Sequence, residues 1–180
     1  MTCSTQLVGL TFITSVGLVF GGVSIALAQS PAQPVRFVAP DDQVVAVVVP
    51  VNDGAESVVE IRDQKGRVRL KRSFASPDGE HGLWVVRSAW SADSRFFVFT
   101  TTSSGGHRPW TSPMFIYVRS RNQLVDMQKC DLVVADSNFE IMPPDLLSVR
   151  VWILPIPSDW QPLSRTARLT ELLNSCDAGG

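Results

Sequence analysis

The sequence predicts an all-β domain of antiparallel sheets joined by hairpins, ending in a short C-terminal helix. Three observations carry this. Short runs rich in Val, Ile, Phe and Trp alternate with clusters of Asp, Asn, Gly and Pro; a turn-and-strand pattern occurs twice; and helical spacing is sustained only near the end of the chain. A chain of 180 residues suffices for one domain with a real core.

The first element is not part of that core. No Asp, Glu, Lys or Arg precedes Arg36, and Leu7 to Ala28 is continuously apolar or small. Ala26-Leu27-Ala28 before Gln29-Ser30 has the small-x-small form of an export cleavage site. Residues 1–28 are therefore expected to be a signal peptide, 29–36 a proline-rich spacer and 37–180 a single β-rich domain, periplasmic or secreted. MTCSTQ lacks the Lys or Arg that usually opens a signal, and the apolar run is long enough to span a bilayer, so an uncleaved N-terminal anchor is the rival expectation. Cys3 leaves with a cleaved signal, and Cys130 and Cys176 remain. In an oxidising compartment they are expected to pair, closing a loop of about 45 residues that is valued at roughly 3 to 4 kcal/mol. Two separate buried thiols are the alternative.

Seven strands follow: QVVAVVVP from Gln43, ESVVEIRD from Glu56, GRVRLKRSF from Gly66, LWVVRSAW from Leu83, SRFFVFTT from Ser94, MFIYVRS from Met114 and LLSVRVWIL from Leu146. NDG, DQKG, SPDG, SADS, SRNQ and MPPD separate them with residues suited to reversals. VVAVVV, FFVFT and MFIYV are apolar on both alternating faces and are expected to be covered on both sides. GRVRLKR sets Arg67, Arg69 and Lys71 against Val68 and Leu70, the pattern of an outer strand. In PLSRTARLTELLNSC, Leu163, Ala167, Leu169, Leu172, Leu173 and Cys176 form an apolar stripe behind Ser164, the expected helix cap.

Ala39 to Val47 aligns with Ser91 to Phe99, placing Asp41 on Asp93, and Val59 to Val68 matches the pattern of Ile116 to Val125. Trp90-Ser91-Ala92-Asp93-Ser94 followed by RFFVFTT, a hairpin and FIYV resembles the W-S-P-D-G repeat of TolB-type β-propellers. Ala39-Pro40-Asp41-Asp42 and Ser76-Pro77-Asp78-Gly79 resemble partial copies, with Ser94 and Asp42 standing where the repeat has Gly. The resemblance implies blades. About 150 mature residues hold roughly three four-stranded blades, fewer than the four to eight of closed propellers. A three-bladed fragment, a sandwich or assembly with another chain are the resulting expectations. The SSGGH-x-P-W loop also resembles loops of small secreted bacterial proteins, a likeness that implies no activity.

The charge balance, 16 basic against 17 acidic residues, excludes a nucleic-acid binder of the usual basic kind. The working surface is expected in the long hairpin loop, where Ser103, Ser104, Gly105, Gly106, His107, Arg108 and Trp110 gather hydroxyls, an imidazole, a cation and an aromatic platform. The opposing expectation is that Pro109 and Trp110 fold back as a plug over the sheet. Catalysis is not expected: no G-x-S-x-G elbow accompanies the serines, and His81 and His107 are the only histidines, without H-x-x-x-H or C-x-x-C spacing. No metal or cofactor motif is present. A His-and-carboxylate site would require the loops around His81 and His107 to meet, and a small hydrolase or metal-dependent enzyme using His107 is the alternative function. The leading expectation is an exported, non-catalytic binding or scaffold protein contacting another envelope protein or a surface glycan. A signal-anchored structural envelope protein is the third. The basic run from Arg62 to Arg72 reads foremost as edge protection, and otherwise as a site for an anionic partner such as a phosphorylated polymer. Asp126, Asp131, Asp136 and Asp145 read as solvated turn caps.

Overall fold

The computed structural model describes residues 32–105, 111–153 and 161–178; the expected signal peptide, 1–28, lies outside them. The all-β expectation holds. Three antiparallel sheets account for the strands. The first contains β1 (Val35–Val38), β2 (Val44–Val51), β3 (Glu56–Asp63) and β4 (Val68–Ser73) in sequence order. The second repeats that meander with β5 (Leu83–Trp90), β6 (Phe96–Ser103), β7 (Met114–Val118) and β8 (Gln123–Asp126). The third runs β11 (Leu163–Arg168), β10 (Leu146–Trp152), β9 (Val133–Met142), and helix α1 (Leu169–Ala178) follows it. No described helix is long and apolar enough to cross a membrane.

The second sheet is the centre of the molecule because Phe96 to Phe99 of β6 and all of β7 are apolar on both faces and buried. With side chains alternating across the pleat, Phe97, Phe99, Phe115 and Tyr117 join Val44, Ala46, Val48, Val59 and Ile61 of the first sheet in one core. Phe96, Val98, Met114, Ile116 and Val118 join Phe139, Leu147, Val149, Val151 and helix residues Leu169, Leu172 and Leu173 in another. The prediction of double coverage is thus met for β6 and β7. In β2 the outer face is covered differently: Arg62 stands opposite Val45, and Arg36 and Glu60 stand opposite Val47. Aliphatic stems of charged side chains there do what a further layer would do. β4 is an edge strand, as its alternating charges predict.

Four elements were not among the expected strands. β1 is four residues long and mostly exposed, and it begins at Val35, inside the expected spacer. β8 was expected only as the tail of the repeat. β9 carries Asp-Ser-Asn in its middle, where its register against β10 shifts at a bulge, and so lacks an alternating signal. β11 occupies the first half of the expected helix: Leu163 and Ala167 are four apart, but Ser164 sits in the strand opposite Arg150 and caps nothing. The helix begins instead at Leu169, whose amide donates to the Asp145 carbonyl. Asp145 is itself a correction, being 1% exposed rather than a solvated cap. Its carboxylate accepts from Arg95, Arg168 and Thr170, fastening the β9–β10 turn to the β5–β6 turn and to α1. Cys130 and Cys176 are disulfide-bonded with Cα atoms 4.8 Å apart, joining a 3-10 turn (Met127–Cys130) to α1.

The meander gives the body two ends. One holds the short turns β1–β2, β3–β4, β5–β6, β7–β8 and β9–β10. The other holds the long connections β4–β5 and β6–β7 and the β2–β3 turn. At the first end the aligned turns are the same structure. The Ala39 amide donates to the Val44 carbonyl and the Ser91 amide to the Phe96 carbonyl, both at 2.9 Å. Asp41 accepts from the Gln43 amide and Asp93 from the Arg95 amide, both at 3.1 Å. Asp42 and Ser94 take φ of 58° and 60°, the left-handed conformation at which the repeat has Gly. The Asp41 amide also donates to the Ser94 hydroxyl, so the two turns touch.

Candidate binding face

The long-loop end is organised around a glutamate. Glu56 opens β3 and is fully buried, without a cationic partner in any described ion pair. Its carboxylate is surrounded by donors. The Ser76 amide lies 3.0 Å from Oε2, to which the Asn52 side-chain amide also donates, and the Gly82 amide donates to Oε1. The Ser76 hydroxyl is 2.6 Å and the Ser104 hydroxyl 3.1 Å from Oε1. These donors come from the β2–β3 turn, the β4–β5 connection and the start of the β6–β7 loop, up to 48 residues away. Burial would push this carboxyl up, but the hydrogen bonds of Ser76, Asn52 and Gly82 outweigh it and hold it down at about 2.

The approach is close enough to fix residue types. A Cβ on Gly82 would collide with the Glu56 carboxylate and the Phe74 carbonyl oxygen, so only glycine fits. The Ser104 amide donates to the Gly82 carbonyl at 3.0 Å, a second tie between the two long connections. Further out, a Cβ on Gly105 would lie 2.9 Å from the Glu80 carbonyl oxygen and 3.6 Å from the His81 ring. The loop of His81 and the base of the Ser103–Trp110 loop therefore meet. The Ser103 hydroxyl accepts from the Gly105 amide at 3.2 Å. Gly106, His107, Arg108 and Trp110 lie outside the described residues.

Ser76-Pro77-Asp78-Gly79 has the Asp93 turn's chemistry at the other end of the molecule. Asp78 accepts from the Glu80 amide and lies 2.7 Å from the Ser76 hydroxyl, and Gly79 has φ of 75°. It precedes β5 rather than the second strand of a sheet, so its position in the meander differs from that of Asp41 and Asp93. The Ser76 hydroxyl stands between two carboxylates with one hydrogen, which it donates to one of them. Asp78 Oδ2 lies 2.6 Å from His81 Nδ1. The Glu80 amide, the Ser76 hydroxyl and His81 hold Asp78 below the usual carboxylate range, and Asp78 in turn raises His81. This pair is exposed and orients the imidazole, and no described Ser or Cys side chain is hydrogen-bonded to its Nε2. Among the described residues no three His, Cys, Asp or Glu side chains are grouped to hold a metal.

Sequence reasoning missed Glu56. In ESVVEIRD it reads as an ordinary polar strand residue, and its partners lie 4, 20, 26 and 48 residues away. It also missed an apolar cavity of about 650 Å³ where the free edges of β1, β5 and β9 converge. Val35, Phe37, Val86, Trp90 and Ile141 line it, with Val86 displaced by a bulge in β5.

No known family and no curated protein matches the chain. Three solved structures are similar in part. A eukaryotic initiation factor is 13% identical with a TM-score of 0.42, over 76% of this chain and 33% of its own. A conserved lipoprotein of Clostridium novyi NT is 8% identical with a TM-score of 0.46, over 78% and 90%. One of two prolyl endopeptidases studied for inter-domain dynamics is 17% identical with a TM-score of 0.43, over 76% and 18%. This chain spans about a third of the initiation factor and under a fifth of the endopeptidase.

Proposed function

We propose that this is an exported, non-catalytic binding module whose contact surface is the loop Ser103 to Trp110 together with the Asp78–Gly82 turn beside it. The observation that carries the proposal is the buried Glu56 carboxylate, which fastens both long connections to the first sheet. Holding such a carboxylate requires an array of donors, a costly arrangement for a loop that merely joins two strands. A rigid base under a polar loop with an aromatic residue is what a recognition surface needs. Export is supported by the apolar N-terminal run and by the disulfide, which suits an oxidising compartment.

The test is site-specific photocrosslinking in cells exporting the protein. A photoreactive residue replacing Trp110 is expected to give discrete adducts with an envelope protein or a surface glycan, and the same residue replacing Arg165 on exposed β11 is expected to give none. Equal labelling at both positions, or none at either, would overturn the proposal.

A further inference from the structure

We propose a second site, at the short-turn end, that binds a phosphoryl group. Lys65, Arg67, Arg69 and Arg119 line one cleft of about 370 Å³ with Gln43, Gln64 and Asp63. Four cations line it with one carboxylate, Asp63, and Asp41 beside it pairs with Arg119, which leaves an excess of positive charge in a chain whose net charge is −1. The cleft is about 23 Å along β3 from Glu56, at 3.3 Å per strand residue, and is independent of the loop surface.

The geometry is more specific than edge protection requires. Arg67 is paired with Asp63 at 2.7 Å, and Arg119 with Asp41. Lys65 and Arg69 form no ion pair among the described residues. Arg69 is also the extra residue of a bulge: the β3–β4 register passes from Ile61 opposite Leu70 to Arg62 opposite Val68 and leaves Arg69 unmatched. Bulges redirect a side chain away from the regular alternation. The Arg69 carbonyl is then held by the Asn122 side-chain amide at 3.0 Å, which brings the β7–β8 turn, and Arg119 at its start, against β4. A strand that only discouraged edge pairing would need neither the clamp to a second sheet nor a cation contributed by it.

The ligand class follows from the donors. Three guanidinium groups offer paired N–H donors suited to the oxygens of a phosphoryl group, and Lys65 adds a point charge. The existing pairs of Arg67 and Arg119 are at the surface, where ion pairs are weak enough for an anionic phosphoryl group to displace them. The phosphoryl group comes either from a soluble phosphate ester or from a lipid headgroup.

Titration of the purified protein with inorganic pyrophosphate, and separately with vesicles of phosphatidylglycerol and phosphatidylcholine, tests this. Saturable binding is expected, with NMR shifts at the Arg69 and Arg119 side chains and weakening as salt is raised. Arg69→Ala is expected to weaken binding about tenfold, the loss of one charge-assisted contact, and Arg72→Ala elsewhere on β4 less than about twofold. Arg69→Gln replaces Arg69→Ala if the latter lowers the Tm. Pyrophosphate binding alone identifies a soluble ester as the source, and Arg69-dependent vesicle binding identifies a headgroup. Absence of binding to both probes, or binding indifferent to both Arg69 and Arg119 substitutions, would overturn the proposal.

Discussion

The two ends of the molecule solve the same problem, reversing a strand, by different physics. At the short-turn end each aligned reversal is largely self-sufficient: Asp41 and Asp93 bond to the amide two residues on, and a left-handed residue completes the turn. At the long-loop end the reversals depend on one buried carboxylate that receives donors from residues as far as 48 positions away. Ser76 and Asp78 repeat the local chemistry there, yet the Ser76 amide and hydroxyl are drawn onto Glu56 as well. Local turns are shaped by their own residues even where they touch a neighbour, whereas a shared carboxylate makes three connections rise or fall together.

Substitutions that break this contrast are expected to differ in size. Glu56→Ala strands several buried donors at once and is expected to lower the Tm by about 10 °C in a calorimetric scan. Gly82→Ala, which forces a Cβ into the space held by Glu56 and Phe74, is expected to lower it by about 6 °C. Asp41→Ala removes a local cap and a surface ion pair with Arg119 and is expected to cost about 3 °C. Asp42→Gly relieves a non-glycine residue at φ 58° and is expected to raise the Tm by about 2 °C.

Acid titration separates the ends further. Because the folded Glu56 carboxyl sits near 2, below its unfolded value, its contribution is fully present above about pH 4.5 and is lost as pH falls toward 2. Thermal melts across that window are expected to show a steeper loss in the native protein than in Glu56→Gln. His81 has the opposite sign: raised by Asp78, its small contribution is present below about 6.5 and fades as pH rises through its folded value.

This contrast also explains what was legible in the sequence. Strands β2, β6 and β7 announce themselves by continuous apolar runs, and the Asp41 and Asp93 turns by local residue types, because their causes lie within a few residues. The disulfide was legible because only two cysteines follow the apolar segment. Glu56 and Asp145 were not. Each looks like a solvent-facing carboxylate, and each is buried by partners from distant segments, Gly82 and Ser104 for Glu56 and Arg95 and Arg168 for Asp145. The first half of the expected helix failed for a related reason. An apolar pair four residues apart suits a helix, while pairing with β10, invisible from position, draws Leu163–Arg168 into a strand.

Amide hydrogen exchange in the native protein and in Glu56→Gln measures the central claim directly. If Glu56 couples the long connections, the amides of Ser76, Gly82 and Ser104 exchange faster together, by about tenfold or more, while those of Asp42 and Ser94 keep their native rates. Acceleration of only one of the three, or equal acceleration at both ends, would contradict it.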